Sequence, residues 1–281
     1  MGKRLLKVAG MVAALYLLLC GVVFVKQRSL LYFPRQKEEQ EYLEHGTRMG
    51  LVPWRDGQGR FIGWRAPHPR GPAEGRAVVF CGNAGNALGR KRYVLGLQDP
   101  SQPRRWEVFI LEYPGYGCRP GEPTEESLVG AGLTALARLE GEPRIPTLLV
   151  GESLGSGVAA LVAAKVPGKV DGLFLLTPLN RMRDVASANY PALPSILVLD
   201  RLEAAEALKS WHGRLAVMLA EQDSVIPARL GRKLFDGYHG PKRLWIARGA
   251  DHHSWDSLPT NPIWQEAPDF LLGTGGAERQ P

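Results

Sequence analysis

Residues 147–157 constrain the fold more than any other stretch. Thr147-Leu148-Leu149-Val150 is a β-branched and aliphatic run. It ends in Gly151-Glu152-Ser153-Leu154-Gly155-Ser156-Gly157, after which an Ala/Val-rich helical pattern begins. Strand, sharp turn and helix in that order are the context a G-x-S-x-G elbow requires. A serine at the tip of such a turn has a strained backbone. The residues two positions away on either side must be almost without side chains, so that strand and helix can approach. Gly151 and Gly155 meet that demand, and Gly157 is expected to ease the helix against a sheet. A glycine-rich turn with an incidental serine, able to cradle a phosphate, gives the same five-residue pattern. The remainder of the chain decides between the two.

From about Thr47, short aliphatic runs alternate with helical patterns, which predicts an α/β fold with a mostly parallel sheet of about eight strands covered by helices. Thr47–Trp54 and Arg60–Ala66 flank Asp56-Gly57 and read as an opening hairpin. Arg76–Cys81, Glu107–Glu112, Thr147–Val150, Gly172–Thr177, Leu215–Ala220 and Arg243–Ala247 follow, apolar without alternation, as strands buried on both faces are. Helices are expected at Leu88–Leu97, Glu125–Leu139, Leu154–Lys165, Ala228–Phe235 and Pro268–Leu272, with Thr124 and Ser127 starting the second. Residues 178–211 break the alternation and predict a small helical cap over the sheet's edge, in a position to roof a site. Residues 273–281 read as a flexible tail.

Charge is distributed unevenly. Lys3, Arg4, Lys7, Lys26, Arg28, Arg35 and Lys37 precede the first acid, Glu38. Removing those seven from 35 basic residues leaves 28, against 28 acidic ones, so the net charge of +7 belongs to the N-terminus. A nucleic-acid binder carries its basic excess in the folded body, and that class is excluded. Between the basic flanks, Val8 to Val25 is free of charge; as a helix it reaches about 27 Å, close to the hydrocarbon thickness of a bilayer. A cleaved leader has a shorter apolar region and a small-x-small site. Lys26-Gln27-Arg28 follows here instead, and Leu19 before Cys20 argues against a lipoprotein site. Residues 1–28 therefore read as a retained single-pass anchor, with residues 29–272 as the body. A short basic N-terminus stays readily in the cytoplasm, which predicts the body on the extracytoplasmic side. Leu30-Leu31-Tyr32-Phe33-Pro34 is open to two readings, a membrane-surface segment or the start of the body. Three cysteines make no disulfide framework. Cys81 and Cys118 each follow a strand, and unpaired core residues are the favoured reading over a single bond.

A serine hydroxyl needs a base within hydrogen-bond reach, itself oriented by a third group. Active groups of open α/β sheets gather at the carboxyl ends of strands, and the order serine, acid, histidine suits an elbow serine. Asp223 lies just after Leu215–Ala220, and His252 just after Arg243–Ala247. Among rival acids, Asp200 lies in the cap, Asp236 near a helix end, and Asp251 beside the histidine it would orient; Glu221 sits close to the strand end. His212 and His239 precede strands and so lie at the wrong edge. His253 shares the right loop and is the second choice. Oxyanion donors are expected from the Leu154 N–H and from the loop Cys81–Asn86, where the Asn83 N–H is preferred and Ala84 comes next.

These residues together resemble the α/β-hydrolase superfamily, and within it the membrane-anchored "alpha/beta hydrolase domain-containing" serine hydrolases. The likeness runs over nearly the whole chain: the apolar leader, Ser29–Pro34, Gly82-Asn83-Ala84, Glu112-Tyr113-Pro114-Gly115-Tyr116-Gly117, Gly151–Gly155, Thr177-Pro178, Arg183-Asp184-Val185, Tyr190-Pro191, Asp223–Pro227 and Gly249–His253. Two positions depart from it. Cys81 stands where His-Gly-Asn is common, and Cys118 where a serine is common. The resemblance implies a serine hydrolase of esters or thioesters that uses Ser153, Asp223 and His252 and needs neither metal nor cofactor. Its substrates would be small acyl esters, lipids or acylated proteins. A non-catalytic scaffold and a peptidase-type acyl hydrolase are the alternatives.

Overall fold

Every one of the six aliphatic runs expected between residues 75 and 247 is a strand of one sheet in the computed structural model, which describes residues 2–255 and 261–274. The strands are β1 (Phe33–Pro34), β2 (Val52–Arg55), β3 (Phe61–Ala66), β4 (Gly75–Phe80), β5 (Ala84–Gly85), β6 (Trp106–Leu111), β7 (Thr147–Glu152), β8 (Gly172–Leu176), β9 (Arg214–Ala220) and β10 (Lys242–Ala247). Eight of them form a sheet in the order β10-β9-β8-β7-β4-β6-β3-β2, and β1 pairs separately with β5. The β2–β3 and β3–β6 pairs are antiparallel and the remaining pairs parallel, which makes the sheet mixed. Strands β4, β6, β7 and β8 are buried along their whole length. They need helices on both faces, which explains their unbroken apolar sequence.

The helices are α1 (Gly2–Leu31), α2 (Glu39–Arg48), α3 (Arg92–Leu97), α4 (Glu125–Leu139), α5 (Leu154–Lys165), α6 (Met182–Asn189), α7 (Ala204–Ala207), α8 (Ala228–Gly237) and α9 (Ile263–Leu272). Helix α4 starts on the expected capping box: Thr124 Oγ1 accepts the Ser127 N–H at 3.0 Å, and Ser127 Oγ accepts the Thr124 N–H at 2.9 Å. Helix α1 is 30 residues long with only Cys20 buried, and its apolar window has a mean hydropathy of 2.6. Among the described residues it is the one helix long and apolar enough to cross a membrane.

Three expectations are corrected. The strand expected from Thr47 begins at Val52, because Thr47 and Arg48 close helix α2. That helix is polar except at Tyr42 and Leu43. Its stability comes from Glu38, whose carboxylate accepts the Glu41 N–H at 2.8 Å, from acids in its first turn, and from His45 and Arg48 in its last. Residues 87–97 are a short 3-10 turn, Ala87–Arg90, followed by α3, not one helix. The last helix starts at Ile263, not Pro268; Ile263, Trp264, Ala267 and Leu271 form a buried face that holds Pro268 inside the helix. The tail expected at 273–281 lies outside the described residues from 275 onward. Ser29–Pro34 turns out to end helix α1 as well as begin the body: α1 runs on to Leu31, Tyr32 is buried, and Phe33 pairs with Ala84.

One buried carboxylate gives the body a pH dependence. Glu112, at the end of β6, is 1% exposed; the Tyr42 hydroxyl and the Ala87 N–H donate to it. Burial outweighs those donors and pushes the carboxyl up to about 7 from 4.5. The folded protein therefore binds a proton that the unfolded chain has released. The Glu112 contribution is whole below pH 4.5 and is lost as pH rises to 7, an effect of about 3 kcal/mol. Glu112→Gln, which imitates the protonated acid, should gain stability relative to wild type as pH rises from 5 to 7.5. Urea midpoints at each pH measure this, and a constant gap between the two proteins would refute it.

Candidate active site

Ser153 sits between β7 and α5 with φ 54° and ψ −123°, a conformation that only a tightly held turn sustains in a non-glycine residue. Its N–H donates to the Leu176 carbonyl at 2.9 Å. Ser156 Oγ, fully buried, donates to the Ser153 carbonyl at 2.5 Å and accepts the Leu179 N–H at 3.2 Å, which ties the turn to the start of the cap. The flanking glycines are needed as expected. A Cβ on Gly151 would lie 2.7 Å from the Gly155 carbonyl oxygen, and one on Gly155 would lie 2.2 Å from that of Phe80. Gly157 has a different neighbour from the one expected. It faces Leu202 and Leu179 of the cap, with 3.0 Å from a Cβ to Leu202.

The loops after β9 and β10 bring an acid and a histidine to this serine. His252 Nε2 lies 2.9 Å from Ser153 Oγ, and His252 Nδ1 lies 2.7 Å from Asp223 Oδ2. The His252 and Asp223 side chains are 3% and 2% exposed, so the relay is closed to bulk water. Asp223 Oδ1 accepts the N–H groups of Val225 at 2.9 Å and Ile226 at 2.7 Å, which leaves Oδ2 for the imidazole. With both rotamers fixed, a proton can leave the hydroxyl for Nε2 while Asp223 faces the charge that forms on the ring.

The rivals have other partners. Asp251 accepts the Ser224 N–H and hydroxyl, both at 2.9 Å, and so clips the histidine loop to the acid loop; the Ser224 N–H holds its carboxyl down at about 2. Glu221 accepts the Gly249 N–H at 2.8 Å, Asp236 pairs with Arg232, and Asp200 pairs with Arg28 at the base of α1. His253 is exposed, its ring edge-on to His252 at 5.0 Å.

The loop Cys81–Asn86 lies beside the serine, since a Cβ on Gly82 would stand 3.6 Å from that of Ser153. Asn83 is pinned from three sides. Its carbonyl accepts the Phe33 N–H at 2.9 Å and the Tyr116 hydroxyl at 2.7 Å, and its Nδ2 donates to the Leu31 carbonyl at 2.7 Å. Leu154 opens α5, where a backbone N–H has no partner within the helix. Cys81 is buried and unpaired, as is Cys118 in its half-buried position. Burial pushes the two thiols up to about 12 and about 11, so both are neutral.

Sequence reasoning passed over Glu152. This charged residue in an apolar strand is 5% exposed and receives the Arg92 guanidinium and the Tyr93 hydroxyl. Burial alone would raise its carboxyl, but Arg92 and Arg90 hold it below its ordinary value. The Arg92 guanidinium also lies 5.5 Å from the Trp255 ring centroid, so it braces the elbow and the histidine loop together. A lone Glu inside an otherwise apolar strand was the signal available. Among the described residues no three His, Cys, Asp or Glu side chains are grouped to hold a metal.

Comparison with known proteins agrees with this architecture. A family model for the alpha/beta hydrolase fold matches residues 77–210. An uncharacterized protein of Mycobacterium tuberculosis is 31% identical over 279 residues, covering 96% of each chain. The lysophosphatidylserine lipase ABHD12 of Danio rerio is 26% identical over 224 residues, 69% of this chain and 56% of that one. Among solved structures, an esterase of Pyrococcus furiosus superposes with a TM-score of 0.61 at 12% identity, covering 80% of this chain and 90% of its own. Sheet order, elbow and sequence kinship converge: this chain belongs to the α/β-hydrolase superfamily.

Proposed function

We propose that the protein is a membrane-tethered serine hydrolase of carboxylic esters or thioesters, with Ser153 as nucleophile, His252 as general base and acid, and Asp223 as the group that orients the imidazole. The observation that carries this reading is the continuous hydrogen-bonded line from Ser153 Oγ through His252 to Asp223. As Ser153 Oγ attacks the acyl carbon, its proton passes to Nε2, and the carbonyl oxygen becomes an oxyanion facing the N–H groups of Leu154 and Asn83. Collapse breaks the bond to the alcohol or thiol, which leaves with the proton from Nε2. Water then attacks the acyl-Ser153 ester, again giving its proton to His252, and the carboxylic acid departs. No step calls for a metal or cofactor.

Helix α1 supports the tether by its length and hydropathy. The basic segment Lys3–Lys7 ahead of the span favours retention of that end in the cytoplasm, and with it an extracytoplasmic body. A tethered site meets bilayer components at high effective concentration. Lipid esters are therefore the preferred substrates, with acylated proteins second. The relative named as a lysophosphatidylserine lipase and the esterase neighbour agree with that chemistry. A fluorophosphonate probe should label the full-length protein at Ser153, identified by peptide mapping, and p-nitrophenyl esters, lysophospholipids and acyl-CoAs should rank its substrates. A protein that neither reacts with the probe nor turns over any of the three would be a scaffold on a hydrolase fold.

A further inference from the structure

Between Asp184 and Asp200 the cap carries no charged residue, and its tip reads Tyr190-Pro191-Ala192-Leu193-Pro194-Ser195-Ile196-Leu197-Val198-Leu199. This tip lies along α1. The Tyr16 hydroxyl donates to the Ala192 carbonyl at 2.8 Å, Gln27 Nε2 donates to the Leu197 carbonyl at 3.2 Å, and the Leu199 N–H donates to Gln27 Oε1 at 2.8 Å. Tyr16, buried Cys20, half-buried Val23 and Gln27 recur at helical spacing and mark the face of α1 turned toward the cap. Tyr16 stands at the middle of the charge-free run Val8–Val25, about 13 Å along the helix from its end at Val25. If α1 crosses a bilayer, the segment bonded to Tyr16 lies at that depth as well.

We infer that Tyr190–Leu199 is inserted in the hydrocarbon of the leaflet nearer the body, riding on α1, and that acyl substrates reach Ser153 from within that leaflet. The inference rests on the proposed membrane tether and deepens the proposed function. Non-helical backbone survives in hydrocarbon only where its polar groups are met, and five of the eight N–H groups of this segment are, that of Leu199 by Gln27. The N–H groups of Tyr190, Leu193, Leu197 and Val198 donate to Ala186, Tyr190, Pro194 and Ser195, and Pro191 and Pro194 have none to satisfy. Its apolar side chains point outward: Ile196 is 73% exposed and Tyr190 64%. The polar boundary falls where a headgroup layer would lie. Lys26 and Arg28 end the apolar run, and Arg28 pairs with Asp200 at 3.2 Å just after the segment. Asp200 also accepts the Tyr32 hydroxyl and the Glu125 N–H, both at 3.1 Å, which fixes the span to the body at that level. The base of the tip adjoins the loop that carries Asp223. Asn189 Nδ2, one residue before Tyr190, donates at 3.0 Å to the carbonyl of Val225, two residues after Asp223.

The test uses the full-length chain with Cys118→Ser and Ile196→Cys, labelled at position 196 with a nitrobenzoxadiazole dye and reconstituted in phosphatidylcholine vesicles. Insertion predicts blue-shifted emission, protection from aqueous iodide, and quenching by lipids carrying a doxyl group along the acyl chain. A protein that floats with the vesicles while its dye stays open to iodide and unmoved by doxyl lipids overturns the inference. Fluorophosphonate labelling of the same sample reports separately on the serine-hydrolase reading: a probe-silent protein with an inserted dye would fail that reading alone. For substrate access, Ile196→Asp with Leu199→Asp should lower turnover of a vesicle-borne ester relative to a soluble one by about ten-fold or more. Equal losses on both substrates would rule out the leaflet route.

Discussion

Ser153→Ala is expected to lower kcat on a p-nitrophenyl ester by on the order of 10⁶-fold, and adding His252→Ala should cost little more, because residues of a relay act as a unit. No neighbour can take over. Ser156 Oγ is the nearest other hydroxyl on the elbow, and it is fully buried and engaged with Ser153 and Leu179. Asp223→Asn should cost about 10⁴-fold, and the hydrogen bonds here give the reason. The amide oxygen would stay with the N–H groups of Val225 and Ile226 that Oδ1 now accepts. That would turn the amide NH₂ toward His252 Nδ1 and force the ring proton onto Nε2, the atom that must receive the proton of Ser153. Single-turnover and steady-state rates measure all three variants. A Ser153→Ala enzyme within about ten-fold of wild type would mean that the nucleophile lies elsewhere.

That Ser153, His252 and Asp223 meet could be expected without coordinates, because each stands at a strand end the sequence marks. Ser153 is announced by two glycines at a strand end. Asp223 and His252 follow because the carboxyl ends of β9 and β10 lie at the same edge of a parallel sheet as that of β7. The strands were legible for a related reason: β4, β6, β7 and β8 are buried on both faces, and such strands are apolar without interruption. Long-range pairing was not legible in the same way. The polar helix α2 is held by its caps and by Tyr42 and Gly46 packing near Trp64, contacts that no window of sequence contains. The Glu152–Arg92–Trp255 brace joins residues from three separated segments, and the bond from Tyr16 to Ala192 spans 176 positions. Gly157 shows the limit most plainly. Its spacing announces a close approach, but only the fold reveals that the neighbour is Leu202 of the cap and not the sheet.

Gly155→Ala should be among the most destabilising small substitutions in the body. Its Cβ would stand 2.2 Å from the Phe80 carbonyl oxygen and 2.4 Å from that of Cys81. Both obstacles are main chain at the end of β4, the central strand between β6 and β7, and cannot rotate aside as a side chain would. Relief requires α5 to move off the sheet or the end of β4 to move away from the elbow. The first opens the packing over the most buried strands. The second carries the Gly82–Asn83 loop, and with it the proposed oxyanion donor, away from Ser153 even in molecules that stay folded. A loss above about 4 kcal/mol is expected, against a total stability of about 5–15 kcal/mol for a domain. Gly130→Ala is the control. Gly130 lies inside α4 with nothing within 4 Å of a Cβ, and alanine there should stabilise by about 0.4–1 kcal/mol. Urea midpoints and soluble yield distinguish the two. If Gly155→Ala unfolded at the wild-type midpoint with the wild-type soluble yield, the close approach of α5 to β4 would not be a feature of the protein in solution.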